Sequence, residues 1–227
     1  MPCMGGLEPC LLLNTLKLSI SRAYKTLHKM EHLNHNWFTQ INADSYLQGY
    51  KLWLAIFIAK YLIFLVAIFL AGMWLWGSKQ QRYALVLALV AVVVGLVINW
   101  CLGMIWYHPR PFMIGMGNAF LSHDPNSSFP SDHATILGTI SIIFLLQKET
   151  RFVGYFMIAS TLLVAWGRIY VGIHYPFDMI GAIIVALISA SIVRPLFLWI
   201  ENHLLPCIEH LYRLLFSKAI ALKWVKY

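Results

Sequence analysis

The chain has 227 residues, of which 60% are hydrophobic and 11% are charged, and its mean hydropathy is +0.69. Soluble domains carry about 25% charged residues. The composition therefore excludes a soluble domain, a disordered chain, collagen and a coiled coil, and it indicates one polytopic membrane domain. The net charge of +8 fits cytoplasmic loops and lipid headgroups, and the absence of a basic run argues against nucleic-acid binding.

Five apolar segments are predicted to cross the membrane, because a helix of about 20 apolar residues spans the hydrocarbon core. They cover roughly residues 52–76, 83–106, 131–147, 152–170 and 176–200, and the third is short. Their apolar runs are continuous rather than alternating, which favours helices over strands. The sequence thus predicts an all-α, polytopic membrane helical bundle with about five transmembrane helices and amphipathic terminal segments.

This pattern divides the chain into three parts. Residues 1–50 form an N-terminal extension and interfacial segment, residues 51–200 the transmembrane domain, and residues 201–227 a C-terminal amphipathic tail. Four of the five basic residues before the first span precede Met30. We therefore expect that residues 1–29 are an upstream extension and that Met30 is the native start; the alternative is that roughly residues 11–50 form interfacial amphipathic helices.

The loops between the predicted spans are of two kinds. Residues 77–82 and 148–151 form short basic loops, whereas residues 108–130 and 167–175 are rich in His, Arg, Asp, Ser, Gly and Pro. With five spans, the two kinds fall on opposite sides of the membrane. Because basic loops stay in the cytoplasm, we expect the two polar loops to face outward.

Three polar clusters lie on this predicted outer side, in residues 110–111, 128–133 and 167–178. Their candidate functional side chains are Arg110, Ser131, His133, Arg168, His174 and Asp178. Two arginines near one point suggest a phosphate-sized dianion, because the guanidinium binds phosphate oxygens bidentately. Two histidines allow one nucleophile and one general acid.

The spacing within these clusters also predicts where some of the side chains lie relative to the helix starts. Asp178 lies four residues after His174, and Pro176 fits the first position of the fifth span. Asp178 then falls in the first helical turn, where it can accept a hydrogen bond from one imidazole nitrogen and fix the tautomer. Ser131 is a natural N-cap of the third span, whose free N–H groups would point at an anion.

Taken singly, each cluster could be a helix boundary, a solvated histidine or a cap; together they predict a phosphate-handling site. Other polar residues have simpler interpretations. His108, His123 and Asp124 could contact a headgroup or a diphosphate, but we interpret them as a solvated loop. Lys60 is an intramembrane charge with no identified partner, and Asn99 is predicted to form an interhelical hydrogen bond.

The clusters resemble the motifs of the membrane-bound type 2 phosphatidic acid phosphatase (PAP2) family. That family shows Lys-x6-Arg-Pro, Pro-Ser-Gly-His and Ser-Arg-x5-His-x3-Asp, and here the Arg-Pro, the Pro-Ser-x-His and the Arg-x5-His-x3-Asp spacing are kept. Three positions differ, with Gly103 in place of Lys, Asp132 in place of Gly and Gly167 in place of Ser. The Ser-Phe-Pro-Ser-Asp-His form is similar to the bacitracin-resistance branch, the undecaprenyl-diphosphate phosphatases.

This resemblance implies a metal-independent phosphatase in the bacterial inner membrane, with its catalytic domain over residues 51–200 and its site facing the periplasm or cell exterior. It would remove one phosphate from undecaprenyl diphosphate, the lipid carrier of cell-wall synthesis. No cofactor, metal, nucleic acid or obligate protein partner is implied; the partners are the isoprenoid lipid diphosphate and the bilayer.

The resemblance also implies roles for the candidate residues. His174 would attack phosphorus and become a phosphohistidine, Asp178 would orient it, and His133 would act as general acid and base. The phosphoryl group would be held by Arg110, Arg168 and Ser131. Asp132 should repel a diphosphate, so it either pairs with an arginine or lies turned away.

Several alternatives stay open at this point. The same fold could act on phosphatidic acid or phosphatidylglycerophosphate, or could pass the phosphoryl group to another lipid. A non-catalytic scaffold or a transporter is the alternative outside enzymes. Transporters place polar groups near the middle of the membrane, whereas here they lie at one edge.

Overall fold

The computed structural model of the protein describes the backbone of residues 7–226 and the side chains of residues 19–226. These residues form helices and no strand, which confirms the predicted all-α class. The chain divides into two compact units, Met1–Gln40 and Ile41–Tyr227. The first unit holds one long helix, α1 (Leu7–Ile41). The three-part division of the sequence, and a start at Met30, stay predictions.

The second unit contains the membrane helices, and each predicted span has a counterpart. Four helical segments are long and apolar enough to cross a membrane, and a shorter apolar helix lies between the second and the third. The helices are α2 (Gly49–Trp76), α3 (Lys79–Ile105), α4 (Asp132–Leu146), α5 (Arg151–Tyr170), α6 (Pro176–Val193), α7 (Leu205–Leu215) and α8 (Ser217–Ala221). The protein is thus an integral membrane helical bundle.

The core of the bundle lies between α3, α4, α5 and α6. Side chains from three of these helices are fully buried at its centre, among them Leu87, Leu137, Phe144 and Met157. Although α4 is short, most of its residues are buried, because it is enclosed by its neighbours. The outer faces of the bundle instead carry exposed large apolar side chains, as lipid contact requires.

Polar side chains join the helices inside this core. Asn99 of α3 donates to Thr135 Oγ1 of α4 over 3.0 Å, which confirms the predicted interhelical hydrogen bond. Ser141 of α4 and Thr161 of α5 are also within hydrogen-bond distance, at 3.1 Å. Such bonds contribute on average about 0.6 kcal/mol each between membrane helices, so they set register more than stability.

The fifth predicted span and the tail are joined in one helical segment, Pro176–Leu215. Pro195 cannot continue the hydrogen-bond ladder, and a 3₁₀ turn occupies Arg194–Leu196. A π-helical turn, Ile200–Leu204, follows before α7. Ile200 and Leu205 are buried in the core, so the first part of the tail packs against the bundle.

One buried arginine, Arg82, lies at the end of the bundle where α2 meets α3. Its Nε donates to the carbonyl of Trp74 over 2.9 Å, and its Nη2 donates to the carbonyl of Lys226 over 2.5 Å. The guanidinium also lies 5.0 Å from the centre of the Tyr212 ring. Arg82 therefore ties the start of α3 to the last described residues of the chain.

The opposite end of the bundle is called the site end here. There α3 and α5 finish while α4 and α6 begin, because consecutive helices run in opposite directions. The two connecting loops, residues 106–131 and 171–175, therefore meet at this end, and with them the three polar clusters.

Candidate functional site

His174 lies at the centre of the site end, and its partners define its tautomer. Its Nδ1 is 3.0 Å from Asp178 Oδ2, a carboxylate that can only accept. Its Nε2 is 3.0 Å from Arg110 Nη1 and 3.3 Å from Arg168 Nη2, which can only donate. Nδ1 therefore carries the hydrogen, and Nε2 presents a lone pair toward both guanidiniums.

Asp178 is held by the start of its own helix. Pro176 is the first residue of α6, and Asp178, two residues later, accepts from the Tyr175 backbone N–H over 2.8 Å. The Ser128 hydroxyl donates to the same carboxylate oxygen. With these donors and His174, the buried carboxylate is fixed against the imidazole.

Both arginines are buried, and their donors are largely occupied. Arg110 donates two hydrogen bonds to the Asn126 side chain and one to each of the carbonyls of Ser127 and Ile173. Its fifth N–H group points at His174 Nε2. Arg168 Nη1 donates to the carbonyl of Ala59 over 3.1 Å. The two guanidiniums thus converge on one atom, His174 Nε2, from different loops and helices.

Besides the acceptor Asp178 Oδ1, two hydrogen-bond donors next to these groups are buried and have no partner within the described residues. They are Ser131 Oγ and Arg168 Nε. Ser131 occupies the N-cap position of α4, as predicted, but its side chain caps nothing. Both atoms are thus available to an incoming acceptor, whose binding would offset the cost of leaving them unpaired.

His133 follows the N-cap of α4 by two residues and is half-buried. It is close enough to Arg168 and Arg110 for their charges to act on its ring. In the described part of the chain its imidazole makes no hydrogen bond, so it is free to meet a bound group.

Asp132 forms no ion pair with either arginine in the described structure, although its charge acts on both. It is exposed, and its Oδ1 accepts from Asn99 Nδ2 over 2.8 Å. It lines a cavity of about 500 Å³ that also borders Arg110 and Gly103. Of the two alternatives expected for Asp132, pairing with an arginine is therefore not found among the described residues.

Two glycines allow the close approaches that build the site. A Cβ atom at Gly167 would lie 2.9 Å from Ile58 Cγ2, so glycine lets α5 approach a π-helical turn of α2, Phe57–Tyr61. This approach brings Arg168 to the Ala59 carbonyl. Gly172 has φ +82° in the short loop before His174, and a Cβ there would overlap the backbone of the 106–131 loop.

Burial and positive charge keep the loop histidines neutral. Burial, followed by the charges of Arg168 and Arg110, holds the pKa of His174 well below its ordinary value. The pKa of His123 is lowered as well, by burial and by Arg110. Burial lowers the pKa of Arg110, which stays charged at neutral pH.

The structure brings together all six candidate residues and adds three. Ser128, His123 and Asn126 contact Asp178, Arg168 and Arg110, respectively. The interpretation of His123 as a solvated loop residue was wrong, because its ring is half-buried and lies 3.2 Å from Arg168.

Of these three residues, Ser128 had a visible signal, since it stands two residues before the Pro-Ser-x-His motif. His123 and Asn126 had none. They reach the arginines only through the path of the loop. Lys60, the intramembrane charge, is exposed and lies over the Tyr61 ring at 5.3 Å.

Residues 81–201 match the PAP2 superfamily. YbjG of Escherichia coli (strain K12) is 33% identical over 197 residues, which cover 87% of this chain and 99% of that protein. Undecaprenyl-diphosphatase BcrC of Bacillus subtilis (strain 168) is 33% identical over 156 residues, covering 69% of this chain and 80% of that one.

Solved structures share the fold. The crystal structure of Aquifex aeolicus LpxE has a TM-score of 0.56 at 22% identity, covering 70% of this chain and 93% of that chain. A PAP2-type phosphatidylglycerolphosphate phosphatase from Bacillus subtilis has a TM-score of 0.55 at 19% identity, covering 80% and 93%. The family match over residues 81–201 and the two relatives at 33% identity confirm the resemblance that the motifs carried, and the chain belongs to the PAP2 superfamily.

Proposed function

We propose that the protein is a membrane phosphatase that hydrolyses a lipid diphosphate, undecaprenyl diphosphate, to the monophosphate and inorganic phosphate. One observation carries the proposal: two guanidiniums converge on His174 Nε2 while Asp178 holds Nδ1. A nitrogen lone pair faced by two phosphate-binding groups suits attack on a phosphorus atom. The relatives named for undecaprenyl-diphosphatase activity support the choice of substrate.

In the proposed ground state, the terminal phosphate displaces the hydrogen bonds that now cap Nε2. Arg110 Nη1 and Arg168 Nη2 turn their N–H groups from the imidazole to phosphate oxygens. The unpartnered Ser131 Oγ and Arg168 Nε supply further donors. The phosphorus then faces Nε2, and the charge that develops on its oxygens is balanced by both arginines.

In the first chemical step, the Nε2 lone pair forms a bond to phosphorus, and the bond from phosphorus to the bridging oxygen breaks. His133 must be protonated for this step, which the negative charge of the bound diphosphate favours; it gives its proton to that oxygen, so the lipid leaves as its monophosphate. Asp178 accepts from Nδ1–H and stabilises the positive charge that the ring gains.

In the second step, water attacks phosphorus and the bond to Nε2 breaks, which restores the lone pair of His174. The water proton passes to His133, which is then ready to act as an acid again. Inorganic phosphate leaves from between Arg110 and Arg168.

We place the site end at the periplasmic or exterior side of a bacterial cytoplasmic membrane. The short connections at the other end, residues 77–82 and 148–151, include the first residues of α3 and α5 and carry Lys79, Arg82, Lys148 and Arg151, and basic connections stay in the cytoplasm. With the four native cysteines replaced by serine, Ser122→Cys should react with an impermeant maleimide in intact cells. Lys79→Cys should react only after lysis, and the reverse pattern would invert the orientation.

The activity is tested by phosphate release from purified protein in detergent with EDTA present. Undecaprenyl diphosphate, phosphatidic acid and phosphatidylglycerophosphate are compared as substrates. His174→Ala is the inactive variant, and His210→Ala is its matched control because His210 is exposed on α7. Radiolabel from the terminal phosphate should be trapped on the wild-type chain in an acid-labile form.

Metal-independent release from the diphosphate, lost in His174→Ala and kept in His210→Ala, is the expected result. Release chiefly from a glycerolipid would retain the chemistry and overturn the substrate. Transfer of the label to a second lipid, with little free phosphate, would make the protein a phosphotransferase. Equal release by wild-type protein and His174→Ala would overturn the mechanism.

A further inference from the structure

Both phosphate-facing arginines are held by one short piece of the 106–131 loop, residues 123–126, which we call the 123–126 segment. Asn126 Oδ1 accepts from Arg110 Nε over 3.0 Å and from Arg110 Nη2 over 2.7 Å. His123 Nε2 lies 3.2 Å from Arg168 Nη2. The segment is itself turned tightly, since the Asn126 N–H donates to the Asp124 carbonyl over 2.8 Å.

The two groups that hold the guanidiniums carry no charge. Asn126 offers an amide oxygen in the place where a buried arginine commonly pairs with a carboxylate. The ring of His123 accepts through Nε2, because its Nδ1 lies 3.2 Å from the Asp124 carbonyl and donates to it. Burial and the charge of Arg110 lower the pKa of His123, which keeps this imidazole neutral at pH 7.

The carboxylates of the site end are kept off this side of the guanidiniums. Asp178 lies behind His174, and Asp132 is bound by Asn99. Asp124 belongs to the segment, but its side chain is exposed and it contributes its backbone carbonyl. On the side of the segment, both guanidiniums are thus held by uncharged acceptors and form no ion pair within the described residues, and the exposed Asp124 carboxylate acts on Arg110 only from a distance.

A carboxylate at position 126 would keep both hydrogen bonds and neutralise Arg110. Coulomb attraction between that pair would oppose binding of a phosphate dianion a few ångströms away. An uncharged acceptor instead fixes the planar guanidinium and leaves its charge to the ligand.

We propose that the 123–126 segment is a positioning element, in which Asn126 and His123 aim Arg110 and Arg168 at the phosphoryl group and, being uncharged, reserve both positive charges for it. The inference rests on the proposed function, since it assumes that a phosphate dianion binds at His174. It assigns Asn126 and His123 a role through the arginines and no contact with the reacting atoms.

The test compares Asn126→Asp with Asn126→Ala. If Asn126 has only a structural role, the near-isosteric Asp should be tolerated better than Ala, because it keeps the acceptor. If its neutrality matters, the order is inverted: Asn126→Asp should raise KM for the lipid diphosphate and the Ki for orthovanadate about tenfold or more, against about threefold for Asn126→Ala. His123→Glu and His123→Gln should show the same order at Arg168.

Ser122→Asp is the charge-matched control. Ser122 is exposed in the same loop, and the described structure gives its side chain no hydrogen bond. The variant adds one carboxylate without placing it on a guanidinium, so KM and Ki should stay within about twofold of wild type because solvent screens the charge. The melting temperature of each variant in detergent identifies any loss of fold.

Orthovanadate binding is also measured by its effect on the melting temperature, which requires no turnover. This inference alone would be overturned if wild-type protein hydrolyses the lipid diphosphate or binds vanadate, and Asn126→Asp binds vanadate as tightly as Asn126→Ala or more tightly. A loss of vanadate affinity in Ser122→Asp as large as that in Asn126→Asp would also overturn this inference. Wild-type protein that neither hydrolyses nor binds vanadate would overturn the proposed function and this inference together.

Discussion

Buried arginines stand at both ends of this bundle, and their surroundings differ. Arg82 is 2% exposed, and Arg110 and Arg168 are 4% and 3% exposed. The guanidinium of Arg82 meets backbone carbonyls and the faces of Trp74 and Tyr212. Those of Arg110 and Arg168 converge instead on one imidazole nitrogen.

Burial alone therefore does not identify a binding arginine. The hydrogen-bond partners of Arg82 in the described residues are backbone carbonyls of the fold itself, although its side chain also borders a cavity of about 400 Å³ together with Lys79 and Glu209. At the site end, a hydrogen bond to His174 Nε2 is exchangeable, because a phosphate oxygen accepts it equally well. Neighbouring unpaired atoms, Ser131 Oγ and Arg168 Nε, mark the same place.

The strongest test of the site end is Asp178→Asn. The amide would offer a donor to Nδ1 and favour the other tautomer, whose Nε2–H would face two guanidiniums that only donate. We expect kcat to fall about 10⁴-fold, as in other sites where a carboxylate fixes a catalytic histidine. Phosphate release under saturating substrate measures it.

Asp44→Asn is the control for that variant, because Asp44 is exposed and outside the site. It should keep activity within about twofold. If Asp178→Asn retained more than about a tenth of wild-type kcat, the carboxylate would not set the tautomer of His174.

Arg110→Lys and Arg168→Lys should each lower kcat/KM by about 10²- to 10³-fold. Lysine keeps the charge but cannot reach several acceptors at once with a planar fork. Initial rates at low substrate concentration measure the loss. Equal activity of the Lys variants and wild type would mean that a positive charge is enough for catalysis without the planar guanidinium. The site arginines would then not differ from Arg82 by their geometry.

Arg82→Ala should show the opposite profile. Loss of the guanidinium leaves the carbonyls of Trp74 and Lys226 without this donor, so the free energy of unfolding should fall by about 3 kcal/mol. Activity per folded molecule should stay at the wild-type level. Thermal unfolding in detergent, together with assays normalised to folded protein, separates the two effects, and Lys79→Ala at the same end is the control.

A lower activity per folded Arg82→Ala molecule would break the comparison, because it would show that the two ends are coupled. Unchanged stability would show instead that water replaces the guanidinium at those carbonyls.

The smallest expected effect is a pH dependence of stability. His174 and His123 have folded pKa values below the unfolded value of about 6.5, so the unfolded chain binds more protons in acid. Below about pH 6.5, each should lower the free energy of unfolding by up to about 1.4 kcal/mol per pH unit. His123→Gln should reduce the slope of melting temperature against pH between 6.5 and 5.5; an unchanged slope would mean that His123 titrates normally.

Local patterns made part of this molecule predictable. The His174–Asp178 contact follows from a four-residue spacing with Pro176 at the helix start, which fixes both side chains within one turn. The long apolar runs likewise predicted the spans, because a membrane helix satisfies its own backbone hydrogen bonds.

Other features depended on the path of the chain. The contacts between His123 and Arg168 and between Asn126 and Arg110 join residues of no regular spacing. The orientation of Asp132 is decided by Asn99 on a different helix, and the burial of Arg82 by a carbonyl 144 residues away. No periodicity records such pairs, so only the folded chain reveals them.

The π-helical turn at Phe57–Tyr61 has a consequence for how this chain can change over evolutionary time. A π-turn holds one residue more than an α-helical turn, so it is equivalent to a single-residue insertion in α2. Deleting one residue there would regularise the helix, yet it would rotate one half of α2 by about 100° and withdraw the Ala59 carbonyl from Arg168. A one-residue gap inside this apolar span, among related sequences, should therefore coincide with a different neighbour for the arginine of the third motif.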